Sequence, residues 1–332
     1  MLIVQEMLTR DDELGIKAYR SPCGATVIDC GINVRGSVDA GIYVARITAG
    51  GLADVYIQTI DYGEFALPCV HVSSSHPILA TLGGQLGDWE VRDGEYFAIG
   101  SGPARALALD REIPRPVDAK RENYRRMGFI TYTPREIFEK IGHIEVCDEA
   151  IISLETSELP PDKTLRMIAE ECGIEPAKLY AFVAPTSSIV GSVQIASRVV
   201  EVGIHKLALL GFDFTKIFFG SGYAPIAPVH PDLAEAMGRT NDAIRYGGVT
   251  YYKTDYLDDE QLEEFVAKVP PRDGRSFAEI FREAAQGFYD VDLSAFAPAV
   301  ITVSNIKTGN SFTAGRVNKE LLKVLVGISN IK

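Results

Sequence analysis

Short apolar runs set off by glycines dominate the first third of the chain. "ATVIDCGI" (25–32), "GIYVARITA" (41–49), "ADVYIQTI" (53–60) and "ALPCVHVSS" (66–74) are rich in β-branched residues, and each reads as a strand. Further on, helix signals take over. Thr133, Pro134 and Glu136 form a capping box with proline at the first helical position, and Ser276 with Glu279 repeats the box ahead of "FAEIFREAAQGF". Between the boxes, "EAIISLE" (149–155) and "LYAFVAP" (179–185) read as buried strands alternating with the helices "DKTLRMIAEECG" and "GSVQIASRVVEVGIHKL" (191–207), a βαβ pattern. A helix within 229–248 is expected to end at Gly247, and "AVITVSNIKTGNSFTAGRV" (299–317) to form a hairpin turning at Lys307–Asn310.

These elements predict an α/β protein of two lobes. The change of texture near residue 145 divides them into a strand-rich lobe over 1–145 and an α/β lobe over 146–332, with the C-terminal hairpin a candidate to return to the first lobe. A chain of 332 residues, 46% of them hydrophobic, has ample material for such cores. Lys and Arg number 33 against 45 Asp and Glu, a net charge of −12 spread over both signs. That balance argues against nucleic acid as the main partner and leaves a locally positive pocket for a small anion open. No segment approaches the apolar length of a membrane span, and the start lacks a cationic region followed by a long apolar stretch, so a cytoplasmic location is expected. Cys23, Cys30, Cys69, Cys147 and Cys172 are sparse and without C-x-x-C spacing; they read as reduced and mostly buried.

Candidate chemistry concentrates in three stretches. Residues three apart on a helix share a face, so Arg198 and Glu201 can touch one another and the same ligand. Two readings stand: a surface ion pair, or a pocket wall where Glu201 takes a proton from water while Arg198 orients that water and tunes the carboxylate. His205, one turn on, reads as a core or rim histidine. In "AIGSGPARALALD" (98–110), Gly100, Ser101 and Gly102 followed by Pro103 make a strand-to-helix turn. It either offers backbone donors to an oxygen or anion, or is a plain tight turn. It matches neither a Walker A loop nor a G-x-G-x-x-G fingerprint. In Phe219–Asp242, Gly220, Gly222, Pro225, Pro228 and Pro231 suggest a stiff irregular path that lines a ligand site or crosses the surface. The five histidines join no H-E-x-x-H or Cys/His cluster, and no G-x-S-x-G elbow is present.

Taken together, "GSGPARALA" (100–108), "GSVQIASRVVEVGIHKL" (191–207), "GSGYAPIAPVHPDLAEAMGRTNDAIRYGG" (220–248) and "TAGRVNKELL" (313–322), with "VIDCGI" and "GSVDAG" near the start, resemble the methenyltetrahydromethanopterin cyclohydrolase family over essentially the whole chain. The resemblance implies a two-lobed α/β fold with a large pocket between the domains. It implies a homotrimer of one-carbon metabolism, without a metal or prosthetic group, that interconverts the cyclic methenyl cation and the N5-formyl form of a pterin carrier. The family's Arg-x-x-Glu falls on Arg198 and Glu201, and its small active-site segment on Ser101, Gly102 and Pro103. Gly100, Gly220, Gly222, Tyr223 and Pro225 are the expected substrate contacts. Two rival functions remain at this stage: a non-catalytic carrier of the pterin, and a metal-dependent hydrolase of another cyclic amidine.

Overall fold

Two six-stranded mixed sheets organise the chain in a computed structural model that describes every residue except 111–116, 273, 285–286 and 329–332. The first sheet has the order β1-β2-β8-β7-β6-β5, from β1 (Lys17–Arg20), β2 (Thr26–Asp29), β5 (Trp89–Asp93), β6 (Tyr96–Ser101), β7 (Ala150–Glu155) and β8 (Leu179–Val183). The second runs β12-β11-β10-β9-β4-β3, from β3 (Asp54–Asp61), β4 (Ala66–Ser74), β9 (Ile217–Pro225), β10 (Val249–Thr254), β11 (Val300–Asn305) and β12 (Ser311–Gly315). Each sheet belongs to its own compact unit. The first unit comprises Met1–Leu52 and Leu79–Gln194, the second Ala53–Ile78 and Ile195–Lys332.

The chain therefore changes unit at 52/53, 78/79 and 194/195, and not near residue 145. Strand pairing explains the difference. β7 and β8 lie parallel to each other and β8 lies parallel to β2, so residues 150–183 complete the sheet begun at the N-terminus. The β3–β4 hairpin instead pairs with β9, within the sheet built by the last third of the chain. The C-terminal hairpin has the expected form, β11 antiparallel to β12, and joins the second sheet through parallel pairing with β10.

In the first unit, β2 is buried at all four positions, as a strand covered on both faces must be. Val27 faces a core with Ala181, Leu165 and Ile168, the last two from the helix α2 (Asp162–Glu171). Ile28 faces the opposite core with Tyr43, Val44 and Ile47 of the helix α1 (Val38–Thr48). α1 corrects the strand expected at 41–49. Ser37 caps the helix by accepting the Ala40 amide, and Ala40, Tyr43, Val44 and Ile47 recur at helical spacing to form its buried face. β-branched content alone hid that period. Both capping boxes are formed as expected, on helices Pro134–Ile141 and Phe277–Glu283.

In the second unit, Val70, Val72, Ala224, Tyr252, Ile301 and Val303 supply one buried face of the sheet. The other face carries the row Tyr56, His71 and Tyr223, aligned across β3, β4 and β9. His71 stacks between the two tyrosines, with ring centroids 5.0 and 5.2 Å away. All five cysteines are free; Cys30, Cys69 and Cys172 are buried as expected, whereas Cys147 is exposed. Burial pushes the Cys30 and Cys69 thiols up, the latter to about 11. No helix among the described residues is long and apolar enough to cross a membrane.

Candidate functional site

The stretch expected as one helix over 191–207 is two, α3 (Ile189–Ala196) and α4 (Val199–Leu209), interrupted at Ser197 and Arg198. Arg198 closes a tight turn by donating its amide to the Ile195 carbonyl at 3.0 Å, and its own carbonyl then accepts the Val202 amide at 2.8 Å. It is the N-cap of α4, and Glu201 is the third residue of the helix. The interruption thus keeps the three-residue spacing and puts both groups in the opening turn. There the helix macrodipole favours a negative side chain. Glu201 is 6% exposed and Arg198 half-buried, which sets the pair apart from a solvated surface ion pair.

α4 is held by close contacts with the sheet. Tyr252, fully buried on β10, donates its hydroxyl to the Val200 carbonyl at 2.8 Å, one residue before Glu201. Its hydroxyl is pressed against Gly203, where no side chain fits. On β9, a Cβ at Gly220 would lie 3.0 Å from Val200 and 3.2 Å from Tyr252. Burial drives the Tyr252 hydroxyl well above the ordinary phenol range, and the negative charge of Glu201 adds to the rise. The turn that carries Glu201, the tyrosine and the strand therefore form one local arrangement.

Gly220, Gly222, Tyr223 and Pro225 lie on β9 itself, so the irregular path expected for this stretch begins only after Pro225. Alternation along a strand then divides them. Gly220 faces α4, and Gly222 is glycine because a Cβ there would lie 2.7 Å from the Val249 carbonyl oxygen. Tyr223 points to the opposite face, beside His71. Pro225 shares that face, being opposite Cys69. The strand character was legible in "KIFFGSGYA", but the glycines and prolines outweighed it.

Gly100, Ser101, Gly102 and Pro103 belong to the first unit, whereas Arg198, Glu201 and the β9 residues belong to the second. β6 ends at Ser101. Gly102 turns the chain with φ of 110°, and Pro103 opens a single 3-10 turn, Pro103–Ala106, in place of a longer helix. Gly102 is wedged against β7, where a Cβ would come 3.1 Å from the Ile151 carbonyl oxygen. The expected offer of backbone donors needs correction here. The Gly102 amide already donates to the Gly84 carbonyl at 2.7 Å, and Pro103 has no amide hydrogen. Ser101 is 1% exposed, and Gly100 is packed against Trp89.

Sequence reasoning missed the partners of this turn. Arg105 is fully buried and pairs with Asp88. Arg105, set among small and apolar residues in "GPARALAL", carried no signal of burial, and neither did "GGQLGDWE". Glu155, at the end of β7, is also buried and accepts hydrogen bonds from Thr186 and Gln194. Among the described residues, no group of three or more His, Cys, Asp and Glu side chains is placed to hold a metal ion.

The chain matches the family model described as Cyclohydrolase (MCH) over residues 1–131 and 129–324. It is similar to proteins named methenyltetrahydromethanopterin cyclohydrolase from several archaea. The one from Methanothermobacter thermautotrophicus is 42% identical, over 98% of this chain and 97% of the relative. That from Methanococcoides burtonii is 39% identical over 100% and 98%, and that from Methanocaldococcus jannaschii 41% identical over 98% and 96%. With a family model and full-length relatives covering the same residues that carry the buried Arg-x-x-Glu turn, the chain belongs to the cyclohydrolase (MCH) family.

Proposed function

We propose that the protein is a methenyltetrahydromethanopterin cyclohydrolase, adding water to the 5,10-methenyl cation to give the N5-formyl derivative, and running the reverse reaction. The observation that carries this reading is Glu201, a buried carboxylate in the first turn of α4 with Arg198 at its cap. The full-length likeness to proteins of that name supports the substrate class.

The methenyl carbon lies between two nitrogens of an amidinium and is electrophilic as it stands. Attack by water needs a base, because the water must lose a proton as its oxygen bonds to carbon. Glu201 takes that proton. Arg198 orients the water through its planar donor fork and favours the ionised carboxylate. Collapse of the hydroxyl adduct breaks the bond from carbon to N10; the hydroxyl proton leaves as the formyl C=O forms, and N10 gains one, so the overall reaction releases one proton. In the same proposal the Ser101–Pro103 turn contacts the developing formyl oxygen. Gly220 and Gly222, on the face of β9 turned to α4, are kept in this reading as substrate contacts, whereas Tyr223 and Pro225 lie on the opposite face. Neither step calls for a prosthetic group, and a cytoplasmic homotrimer belongs to the same proposal through the family resemblance.

The test is hydrolysis of methenyltetrahydromethanopterin followed by absorbance with purified protein. Catalytic turnover that survives a chelator is expected. Binding without acceleration would make the protein a carrier, and loss of turnover on chelation would favour a metal-dependent hydrolase.

A further inference from the structure

We infer that Arg105 and Asp88 are positioning residues for the Ser101–Pro103 turn, an inference that rests on the role proposed above for that turn. The Arg105 guanidinium is 0% exposed and grips Asp88 in a fork: Nε donates to Oδ1 at 2.6 Å and Nη2 to Oδ2 at 2.7 Å. Nη1 donates to two successive backbone carbonyls, Leu82 at 2.5 Å and Gly83. Both carbonyls belong to the π-helical turn Leu79–Gln85. The next carbonyl along, that of Gly84, accepts the Gly102 amide. Arg105 thus clamps the two peptide groups directly before the one that holds Gly102.

The loop of contacts closes on itself. Arg105 lies in the 3-10 turn Pro103–Ala106, and its own amide donates to the Gly102 carbonyl at 3.1 Å. Gly102 is therefore held through its amide by Gly84 and through its carbonyl by Arg105. Gly84 has no lateral freedom either, since a Cβ there would collide with the Thr48 carbonyl of α1. A fully buried guanidinium is a poor choice if filling space were the only requirement, because apolar side chains fill it without a desolvation cost. What an arginine adds is a rigid fork that fixes a carboxylate and two carbonyls at once, which a lysine cannot reproduce.

The test uses full-length Arg105→Lys and Asp88→Asn with kcat and KM separated and the folded fraction measured by circular dichroism. Displacing the turn is expected to lower kcat per folded molecule by roughly 10- to 100-fold while KM changes little. The acid limb of the kcat profile should keep its midpoint, because Glu201 is untouched. Asp88→Asn is the milder change, retaining an acceptor for the guanidinium, and covers the case in which Arg105→Lys fails to fold. Hydrogen exchange at the Gly102 amide gives a readout that needs no substrate: it should accelerate by about tenfold or more in either variant, with the core strands unaffected. Folded variants with wild-type kcat and wild-type Gly102 exchange would overturn the inference. Loss of folded protein with unchanged kcat per folded molecule would make the pair merely structural and would overturn it as well. If the wild type fails to hydrolyse the substrate, the proposed function fails first; faster Gly102 exchange would still establish the clamp, and unchanged exchange would remove it.

Discussion

Gly203→Ala should destabilise the protein although it replaces a mid-helix glycine by the best helix former. On propensity alone the change gains about 1 kcal/mol. Against that, the new Cβ would run into the buried Tyr252 hydroxyl and stand 3.0 Å from Cζ of the same ring. Tyr252 is fully buried, so the ring cannot retreat into solvent, and overpacking of this kind costs roughly 1–3 kcal/mol. Pushing the hydroxyl off the Val200 carbonyl leaves a buried donor unpaired, at about 1–3 kcal/mol more. The net expectation is a loss of about 1–5 kcal/mol, read as a lower urea midpoint with an unchanged slope. A double-mutant cycle with Tyr252→Phe isolates the contact. Removing the hydroxyl should reduce the Gly203→Ala penalty by about 1 kcal/mol or more. Additive effects, or a stabilised Gly203→Ala, would refute the reasoning that Tyr252 and Gly203 set the seat of α4.

Asp242 gives an unusual pH dependence. Desolvation raises its carboxyl to about 6 despite the Phe277 amide at 2.7 Å and Arg245 at 3.7 Å. A folded-state value above the unfolded one means a stabilising contribution present below about pH 4 and lost as pH rises through about 6, on the order of 3 kcal/mol across that window. Relative to Asp242→Asn, the wild type should therefore gain stability as pH falls from 7 to 4; a constant difference in unfolding free energy would contradict this. Leu322→Ala removes a fully buried side chain from the cluster with Tyr62, Leu67 and Cys69, and should cost about 2–5 kcal/mol. An unchanged melting temperature would show that helix Lys319–Leu325 contributes little to the second unit. Gly84→Ala should lower both stability and kcat, since relief of its collision with the Thr48 carbonyl must move the peptide that holds Gly102. Retention of both would mean the Leu79–Gln85 turn yields without disturbing Gly102.

Local signals were the legible ones. Both capping boxes, the βαβ passage from β7 through α2 to β8, and the C-terminal hairpin could be read because each depends on residues close in sequence. The division into units could not, because it depends on which distant strands pair, and the β3–β4 hairpin pairs with β9 across about half the chain. α1 was misread because Ile42, Val44 and Ile47 suit either secondary structure, and only the Ser37 cap with the spacing of buried positions decides for helix. For the site, the three-residue spacing of Arg198 and Glu201 survives in the opening turn of α4, while the break at Ser197 was missed. The Gly102 turn was found, but not that its amide is spent, because Gly84 lies well upstream. Arg105 escaped notice because sequence cannot distinguish a buried guanidinium from a solvated one.

The central claim is that the Glu201 carboxylate is the base. It is tested most directly by comparing wild type and Glu201→Gln for binding and for single-turnover hydrolysis of methenyltetrahydromethanopterin. The amide keeps the size and the seat in α4 but cannot take the proton, so binding should persist while the chemical step slows by about 10²–10⁴-fold. Equal single-turnover rates in the two proteins would contradict the assignment of Glu201.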